Sequence, residues 1–244
     1  MPMAHASTSV ARLNGGRHPL SPAHKHALQT CLQQAPMNAD EADPFGAELL
    51  TEGLARVWGI STAHLAITAG ARASVLALAT QFHSVQVERP GFDGVRVVLR
   101  ALGVRVEESS WASIAHSDKP AIITSPFRNP DGAAWMGPLR GGVYRDATFQ
   151  AFRRDGCDSE GWNSPTFGSV GKLLGPDVSL GWIETQDFAA PLNPNFWRAI
   201  GANSIVQRGV GAFLRSFGLE ALDSSQQMAM RAWEIFFEAA SIDP

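Results

Sequence analysis

The sequence predicts an α/β fold in which a mostly parallel central sheet is flanked by helices. Short apolar runs, typical of buried strands, alternate along the chain with segments whose apolar residues recur at helical spacing. Turns containing glycine or proline separate them, and two long helical segments close the sequence. Because parallel strands must be joined by crossover connections, usually helices, this alternation favours a parallel sheet over an all-β or all-α arrangement.

The first elements are predicted to be helices. Residues 1–20 are expected to form a flexible arm, and residues 21–244 to form a single domain. Ser21-Pro22 is a helix-start signal, and the polar and apolar residues of 21–34 then alternate at helical spacing. An amphipathic helix is predicted over 47–58, ending at Gly59.

The alternation of strands and helices follows. The strand candidates are 65–68, 85–88, 104–107, 121–124, 142–149 and 179–184. Between the first three strands, 72–82 and 92–102 place their apolar residues on one helical face. The two long helical segments at the end are 196–217 and 222–240.

Composition excludes several classes of protein. The chain has 244 residues, 45% of them hydrophobic, and a formal net charge of −3, so it can bury a core and carries no basic excess for nucleic acid or anionic membranes. No apolar run approaches the roughly 18 residues of a membrane span, and the N-terminus lacks the apolar region of a signal peptide. We therefore expect a cytoplasmic protein. Two cysteines far apart in sequence and histidines without ligand spacing predict no disulfide framework and no metal site.

Two segments could carry phosphate and amine chemistry. The loop at 68–72 lies between a strand and a helix, where backbone N–H groups can hold a phosphate, although most such loops are only turns. Lys172 is one of three lysines and is surrounded by small and apolar residues, with no carboxylate within four positions. Desolvation of its amine suits a Schiff-base lysine; the alternative is a loop lysine whose stem lies on apolar surface.

Two polar residues follow apolar strands. Asp146 comes at the end of a predicted parallel strand, where side chains line the ligand crevice of open sheets; it could equally be a helix N-cap. Asn129 lies in a loop rich in glycine and proline, where asparagine is ordinarily a turn residue.

Five segments, taken in chain order, resemble segments of the class I/II aminotransferases, which are fold-type I pyridoxal-phosphate (PLP) enzymes. They are ITAGARASVLAL (67–78), VQVERPGFDGVRVVLRALGVRV (85–106), TSPFRNPDG (124–132), YRDATFQAF (144–152) and GSVGKLLGPDVSLGWI (168–183). Each is weakly specific alone, but their order matches the family over roughly residues 43 to 236. The resemblance implies the large-domain fold of these enzymes.

The resemblance also implies a cofactor and a reaction class. PLP would be bound, and Lys172 would be the catalytic Schiff-base lysine of a transferase acting on an amino acid or amine. The positions matching cofactor-binding residues of the family are Gly70, Ala71, Arg72, Phe92, Asn129, Asp146, Phe149 and Ser169. Because the family builds its active site between two subunits, a homodimer is implied as well.

Three residues depart from the family pattern. Gly171 replaces the serine or threonine before the lysine, Ser179 replaces the phosphate-gripping arginine, and Phe149 replaces a tyrosine that hydrogen-bonds the cofactor's phenolic oxygen. Arg72 could supply a substitute charge. The family's C-terminal small domain, with its carboxylate-clamping arginine, has no counterpart after the two long helices, so a truncated family member is expected. These departures leave an alternative open, a catalytically degenerate aminotransferase fold that serves as a binding or scaffolding subunit.

Overall fold

The structure is a computed structural model that describes residues 20–36, 48–125, 142–152, 165–175, 177–185 and 193–240. Its helices are α1 (Pro22–Gln34), α2 (Glu48–Trp58), α3 (Ala71–Ala79), α4 (Asp93–Ala101), α5 (Trp111–Ala115), α6 (Gly171–Leu174), α7 (Pro194–Ile200) and α8 (Ser204–Ala240). Its strands are β1 (Leu65–Thr68), β2 (Ser84–Glu88), β3 (Arg105–Ser109), β4 (Ala121–Thr124), β5 (Val143–Asp146), β6 (Thr166–Ser169) and β7 (Gly181–Glu184). A single 3₁₀ turn covers Gln150–Phe152.

The seven strands form one sheet in the order β1-β7-β6-β5-β4-β2-β3. β7 is antiparallel to both of its neighbours, and the other described pairings are parallel. Every strand except β7 therefore ends at the same side of the sheet, which we call the carboxyl edge. The predicted α/β fold with a mostly parallel sheet is confirmed.

Helices cover both faces of the sheet because neighbouring strand residues point to opposite sides. Ala66 packs with α3, α4 and α7, whereas Leu65 and Ile67 pack with α1, α2 and α8. Both groups are buried hydrophobic clusters, and β1, which contributes to both, is buried on both faces. Leu20, the only described residue of the predicted arm, is buried in the second cluster.

Three short elements were not predicted. β6 contains Gly168 and lies in a segment of small residues, so its four residues do not show the apolar alternation of a strand. α5 and α6 have five and four residues, too few for helical periodicity to emerge. The predicted strands 142–149 and 179–184 are shorter, ending at Asp146 and beginning at Gly181 respectively.

The predicted pair of long helices, 196–217 and 222–240, is wrong in its break point. The chain breaks at 201–203, between α7 and α8, where Asn203 Oδ1 accepts a hydrogen bond from the Val206 N–H at 2.9 Å and so begins the next helix. α8 then continues through Gly218, where an added Cβ would lie 2.8 Å from Val57 Cγ2. That glycine permits close packing against α2 and does not end the helix.

No helix in the described ranges combines the length and the apolar character that a bilayer span requires.

Candidate functional site

The topology collects the predicted site segments at the carboxyl edge. β1 ends before Gly70, β2 ends before Phe92, β5 ends at Asp146, and β6 ends before Lys172. Since these four strands are all mutually parallel in the sheet, their ends converge although they are distant in sequence.

A small cleft at this edge, with a volume of only about 10 Å³, is lined by four of the predicted residues. Ala71 and Arg72 come from the start of α3, Phe92 from the residue before α4, and Asp146 from the end of β5. The remaining lining residues are apolar or glycine: Val75, Gly94, Val95 and Phe167. Phe92 is 37% exposed and Asp146 only 6% exposed, so an accessible aromatic ring and a buried carboxylate share one opening.

The loop before α3 is held in place by β7. Thr68 Oγ1 and Ser74 Oγ hydrogen-bond at 2.9 Å, and Ser74 Oγ donates to the Trp182 carbonyl oxygen at 2.9 Å. Gly70 has a φ of +89°, and an added Cβ at Gly181 would lie 2.9 Å from Gly70 Cα. The first-turn N–H groups of α3 are therefore fixed relative to the sheet.

Asp146 is held by the turn that follows it. Its Oδ1 accepts a hydrogen bond from the Thr148 N–H at 3.0 Å, which is a contact within the turn after β5 and not the N-cap of a helix. The turn is fixed to α2, because Trp58 Nε1 donates to the Thr148 carbonyl at 3.3 Å and Gln150 Nε2 donates to the Trp58 carbonyl at 2.8 Å. Asp146 thus both caps this turn and lines the cleft.

Lys172 lies on α6, one turn after the end of β6. Its Nζ is 5.6 Å from the centroid of the Phe149 ring, within the range of a cation–π contact. Ser169 Oγ accepts a hydrogen bond from the Gly171 N–H at 3.0 Å, which fixes the chain entering α6. The half-buried Lys172 is accordingly on a short, fixed helix and not on a loop.

Glu88 is a further carboxylate at the carboxyl edge that the sequence analysis did not single out. It is the last residue of β2 and 2% exposed. Its Oε2 accepts from Trp111 Nε1 at 2.6 Å, and its Oε1 accepts from the Thr124 N–H at 2.9 Å. The signal was available, because Glu88 ends a predicted parallel strand just as Asp146 does.

The environment of Glu88 changes its acidity. Burial raises the pKa of Glu88 to about 7, since desolvation disfavours the charged carboxylate. Hydrogen bonds from Thr124 and Trp111 act in the opposite direction, and the negative charge of Asp146 adds to the rise. Near neutral pH, Glu88 therefore exchanges a proton beside Asp146.

The other predicted residues fall into two groups. Asn129 lies outside the described residues, so its predicted role stays a prediction. Ser179, at the arginine position of the family, is exposed and precedes β7, which begins at the carboxyl edge. Phe149 and Ser169 lie beside α6 and do not line the cleft described above.

Comparisons with known proteins give structural relatives alone. No protein-family model matches the chain, and no curated protein matches it in sequence. Among solved structures, it resembles a methionine aminotransferase from Escherichia coli, with a TM-score of 0.64 and 17% identity over 93% of this chain and 70% of that one.

Two further structures agree with this likeness. A histidinol-phosphate aminotransferase from Clostridium acetobutylicum has a TM-score of 0.66 and 13% identity, over 93% of this chain and 75% of that one. Tyrosine aminotransferase from Leishmania infantum has a TM-score of 0.65 and 16% identity, over 91% and 74% of the two chains. The protein therefore has the fold of the fold-type I aminotransferases.

Proposed function

We propose that the protein binds PLP at the carboxyl edge and is an aminotransferase-like transferase acting on an amino acid or amine through Lys172. The observation that carries the proposal is the cleft itself. Ala71, Arg72, Phe92 and Asp146 come from three separate sequence segments, and all four line one opening.

The residues of the cleft fit the chemistry of the cofactor. A buried carboxylate such as Asp146 favours a protonated ring nitrogen, and the accessible face of Phe92 suits stacking on a pyridine ring. The start of α3 offers backbone N–H groups to a phosphate, and the exposed Arg72 adds a positive charge there. Ser169 contributes a hydroxyl at the end of β6.

Lys172 supplies the amine. When bound, PLP provides an aldehyde for this amine and an electron-accepting ring for the reaction. In the cofactor-free protein Phe149 faces the Lys172 ammonium and holds it near the end of β6. Once the amine is released by substrate, Lys172 is the base that moves a proton on the substrate carbon. We include in the proposal that two copies of the chain form a homodimer, as the family resemblance implies.

Absorption spectroscopy tests the proposal. Purified protein mixed with excess PLP is expected to show a visible band distinct from free PLP, absent in Lys172→Ala. Lys25→Ala is the matched control, because Lys25 is exposed on α1, and this variant should keep the band. Turnover is then sought with a panel of amino donors, and light scattering reports the mass of the particle.

A second function, that of a degenerate fold serving as a binding subunit, is favoured by one observation. Phe149 is the side chain that faces Lys172, and it has no hydroxyl to give to a cofactor. Under this alternative the protein stays colourless with saturating PLP and forms a stable complex with a second protein. A colourless mixture therefore overturns the enzyme proposal.

A further inference from the structure

Glu88 connects three elements at the carboxyl edge. Its carboxylate accepts hydrogen bonds from the indole of Trp111, the first residue of α5, and from the backbone of Thr124, the last residue of β4. The described register between β2 and β4 ends at Val87 and Ile122. The Glu88 side chain therefore satisfies a buried N–H beyond the point where the backbone ladder stops.

The same residue supports the turn that carries Phe92. After Glu88 the chain leaves the sheet through Pro90 and Gly91, and an added Cβ at Gly91 would lie 2.7 Å from Glu88 Cγ. The turn thus rests directly on the Glu88 side chain. Phe92, one residue later, is the aromatic wall of the cleft.

Glu88 also stands at the place where the order of the sheet reverses. β3 follows β2 on one side, whereas β4 lies on the other. Ligands of open α/β sheets bind in the crevice at such a switch point. Thr124, the last residue of β4, receives the Glu88 carboxylate from the side of β2. On its other side Thr124 is paired with Asp146 in the register between β4 and β5. Glu88 and Asp146 therefore lie on opposite sides of Thr124.

We propose that Glu88 is a positioning residue of the cleft, which fixes the Phe92 turn and the end of β4 and gives up a proton when a cation is bound against Asp146. The proposal rests on the proposed function, because the cation is the protonated pyridine ring of PLP. It adds a residue outside the family-derived site, and a proton linkage for cofactor binding.

The charges around Glu88 give the direction of the linkage. Its burial and the negative charge of Asp146 both favour the neutral acid, whereas Trp111 and Thr124 contribute only N–H and O–H groups. Arg89, the neighbouring residue, is 74% exposed and pairs with Glu108 at 3.6 Å. Burial is the main cause of the raised pKa of Glu88, and the charge of Asp146 adds a smaller part. A cation placed against Asp146 removes that smaller part, so its binding lowers the pKa of Glu88 and favours release of the proton to solvent.

Infrared difference spectroscopy of the cofactor-free protein tests the first part of the proposal, that Glu88 holds a proton. One component of the carbonyl band of protonated carboxyl groups is expected to disappear as the pH rises through about 7, and this component should be absent in Glu88→Gln. Glu107→Gln is the matched control on the next strand, since Glu107 is half-exposed and pairs with Lys119. If Glu88→Gln keeps the complete band of the wild type, Glu88 holds no proton and the proposal is overturned.

PLP titrations over the same pH range test the second part of the proposal, that PLP binding releases this proton. The ratio of the wild-type Kd to the Glu88→Gln Kd cancels the titration of PLP itself. It is expected to fall by about three- to tenfold between about pH 6 and pH 8. A constant ratio overturns the linkage. If the infrared band is present but PLP does not bind at any pH, the proposed function is wrong, and the linkage between PLP binding and the Glu88 proton is overturned as well.

Trp111→Phe provides a second test that does not depend on whether Glu88→Gln folds. It removes one hydrogen bond that favours the charged carboxylate and leaves the carboxyl group in place. The infrared band should then persist to higher pH than in the wild type. A band that titrates at the wild-type pH in Trp111→Phe contradicts the assignment to Glu88.

Discussion

The ammonium of Lys172 lies 5.6 Å from the centroid of the Phe149 ring, and this contact joins the helix after β6 to the turn after β5. A ring face attracts a cation through its quadrupole, with a strength of about 0.5–1 kcal/mol at a partly exposed site. Phe149 therefore positions the amine on which the proposed reaction depends.

Nuclear magnetic resonance of the methylated protein checks this contact. Reductive methylation with ¹³C-formaldehyde labels only three lysine side chains besides the N-terminus. The signal of Lys172 is assigned as the one that is missing from the spectrum of Lys172→Ala. Its methyl signal should be displaced by the ring current of Phe149, lose this displacement in Phe149→Leu, and keep it in Phe149→Tyr. Identical signals in all three proteins would show that the ring does not face the amine.

The two roles of Asp146 can be separated by substitution. Asparagine keeps an oxygen that accepts from the Thr148 N–H, whereas alanine removes it. We expect Asp146→Ala to lower the free energy of unfolding by about 1 kcal/mol more than Asp146→Asn does. Both variants lose the charge and should weaken PLP binding about tenfold or more. Unchanged affinity in Asp146→Asn would remove this carboxylate from the cofactor site.

Ser179→Arg tests whether a lost phosphate contact can be restored. Ser179 is exposed and lies two residues before the strand that begins at the carboxyl edge. A charge-assisted contact contributes about 1.5–3 kcal/mol, so PLP should bind about tenfold tighter or more. Ser179→Gln, which has a long side chain without the charge, is the control. Equal affinities in the two variants would mean that the position does not reach the phosphate.

The acidity of Glu88 predicts a pH dependence of stability. The folded protein keeps the Glu88 proton up to a pKa of about 7, whereas an ordinary glutamate loses it near 4.5. The folded state thus binds more protons between these values. The stabilisation from neutral Glu88 is complete below about pH 4.5 and is lost as pH rises through about 7, at up to about 1.4 kcal/mol per pH unit.

Urea unfolding of wild type and Glu88→Gln at several pH values checks this dependence. The difference in the free energy of unfolding should decrease up to about pH 7 and stay level above it. Burial also raises the pKa of Glu184, so Glu184 too makes the free energy of unfolding decrease with pH. This contribution is present in both proteins and cancels when the wild type is compared with Glu88→Gln. A difference that is constant with pH would contradict the prediction.

Gly181→Ala is expected to disturb the loop before α3. An added Cβ would overlap the Gly168 carbonyl oxygen and would lie 2.9 Å from Gly70 Cα, and both are backbone atoms that cannot move alone. Overpacking of this kind costs about 1–3 kcal/mol. Gly171→Ala is the contrasting variant, because its Cβ would lie 3.3 Å from the Ser169 hydroxyl and 3.9 Å from the Val178 carbonyl oxygen. Thermal unfolding should separate the two, and equal melting temperatures would refute the packing argument.

The regular part of the fold was predictable because buried parallel strands are apolar on both faces and their crossover helices are long enough to show a period. β1, β2, β4 and α4 follow this rule. β6 does not, since close approach of the Trp182 ring to Gly168 replaces side-chain alternation. The break between α7 and α8 was misplaced because Gly218 serves helix packing, which a local pattern does not reveal.

The candidate site was predictable where polar residues follow strands. Asp146 and the start of α3 were selected in this way, whereas Phe92 was selected from the family resemblance, and the structure brings all of them to one cleft. The coupling of Glu88 to Trp111 and Thr124 was not predictable, since it depends on the order of strands in the sheet. The roles of Lys172 and Asn129 stay predictions.

The pairing of β1 with β7 has a consequence for the order of folding. β1 forms one side of the sheet and pairs, among the described strands, with β7 alone, so Leu65 meets Glu184 across nearly half of the chain. Contacts this distant in sequence form late, because the intervening chain must be closed into a loop first. During synthesis the loop after β1 has no strand to join until Glu184 has left the ribosome. The side of the sheet that carries this loop should therefore be completed only after β2, β3, β4 and β5 have been made.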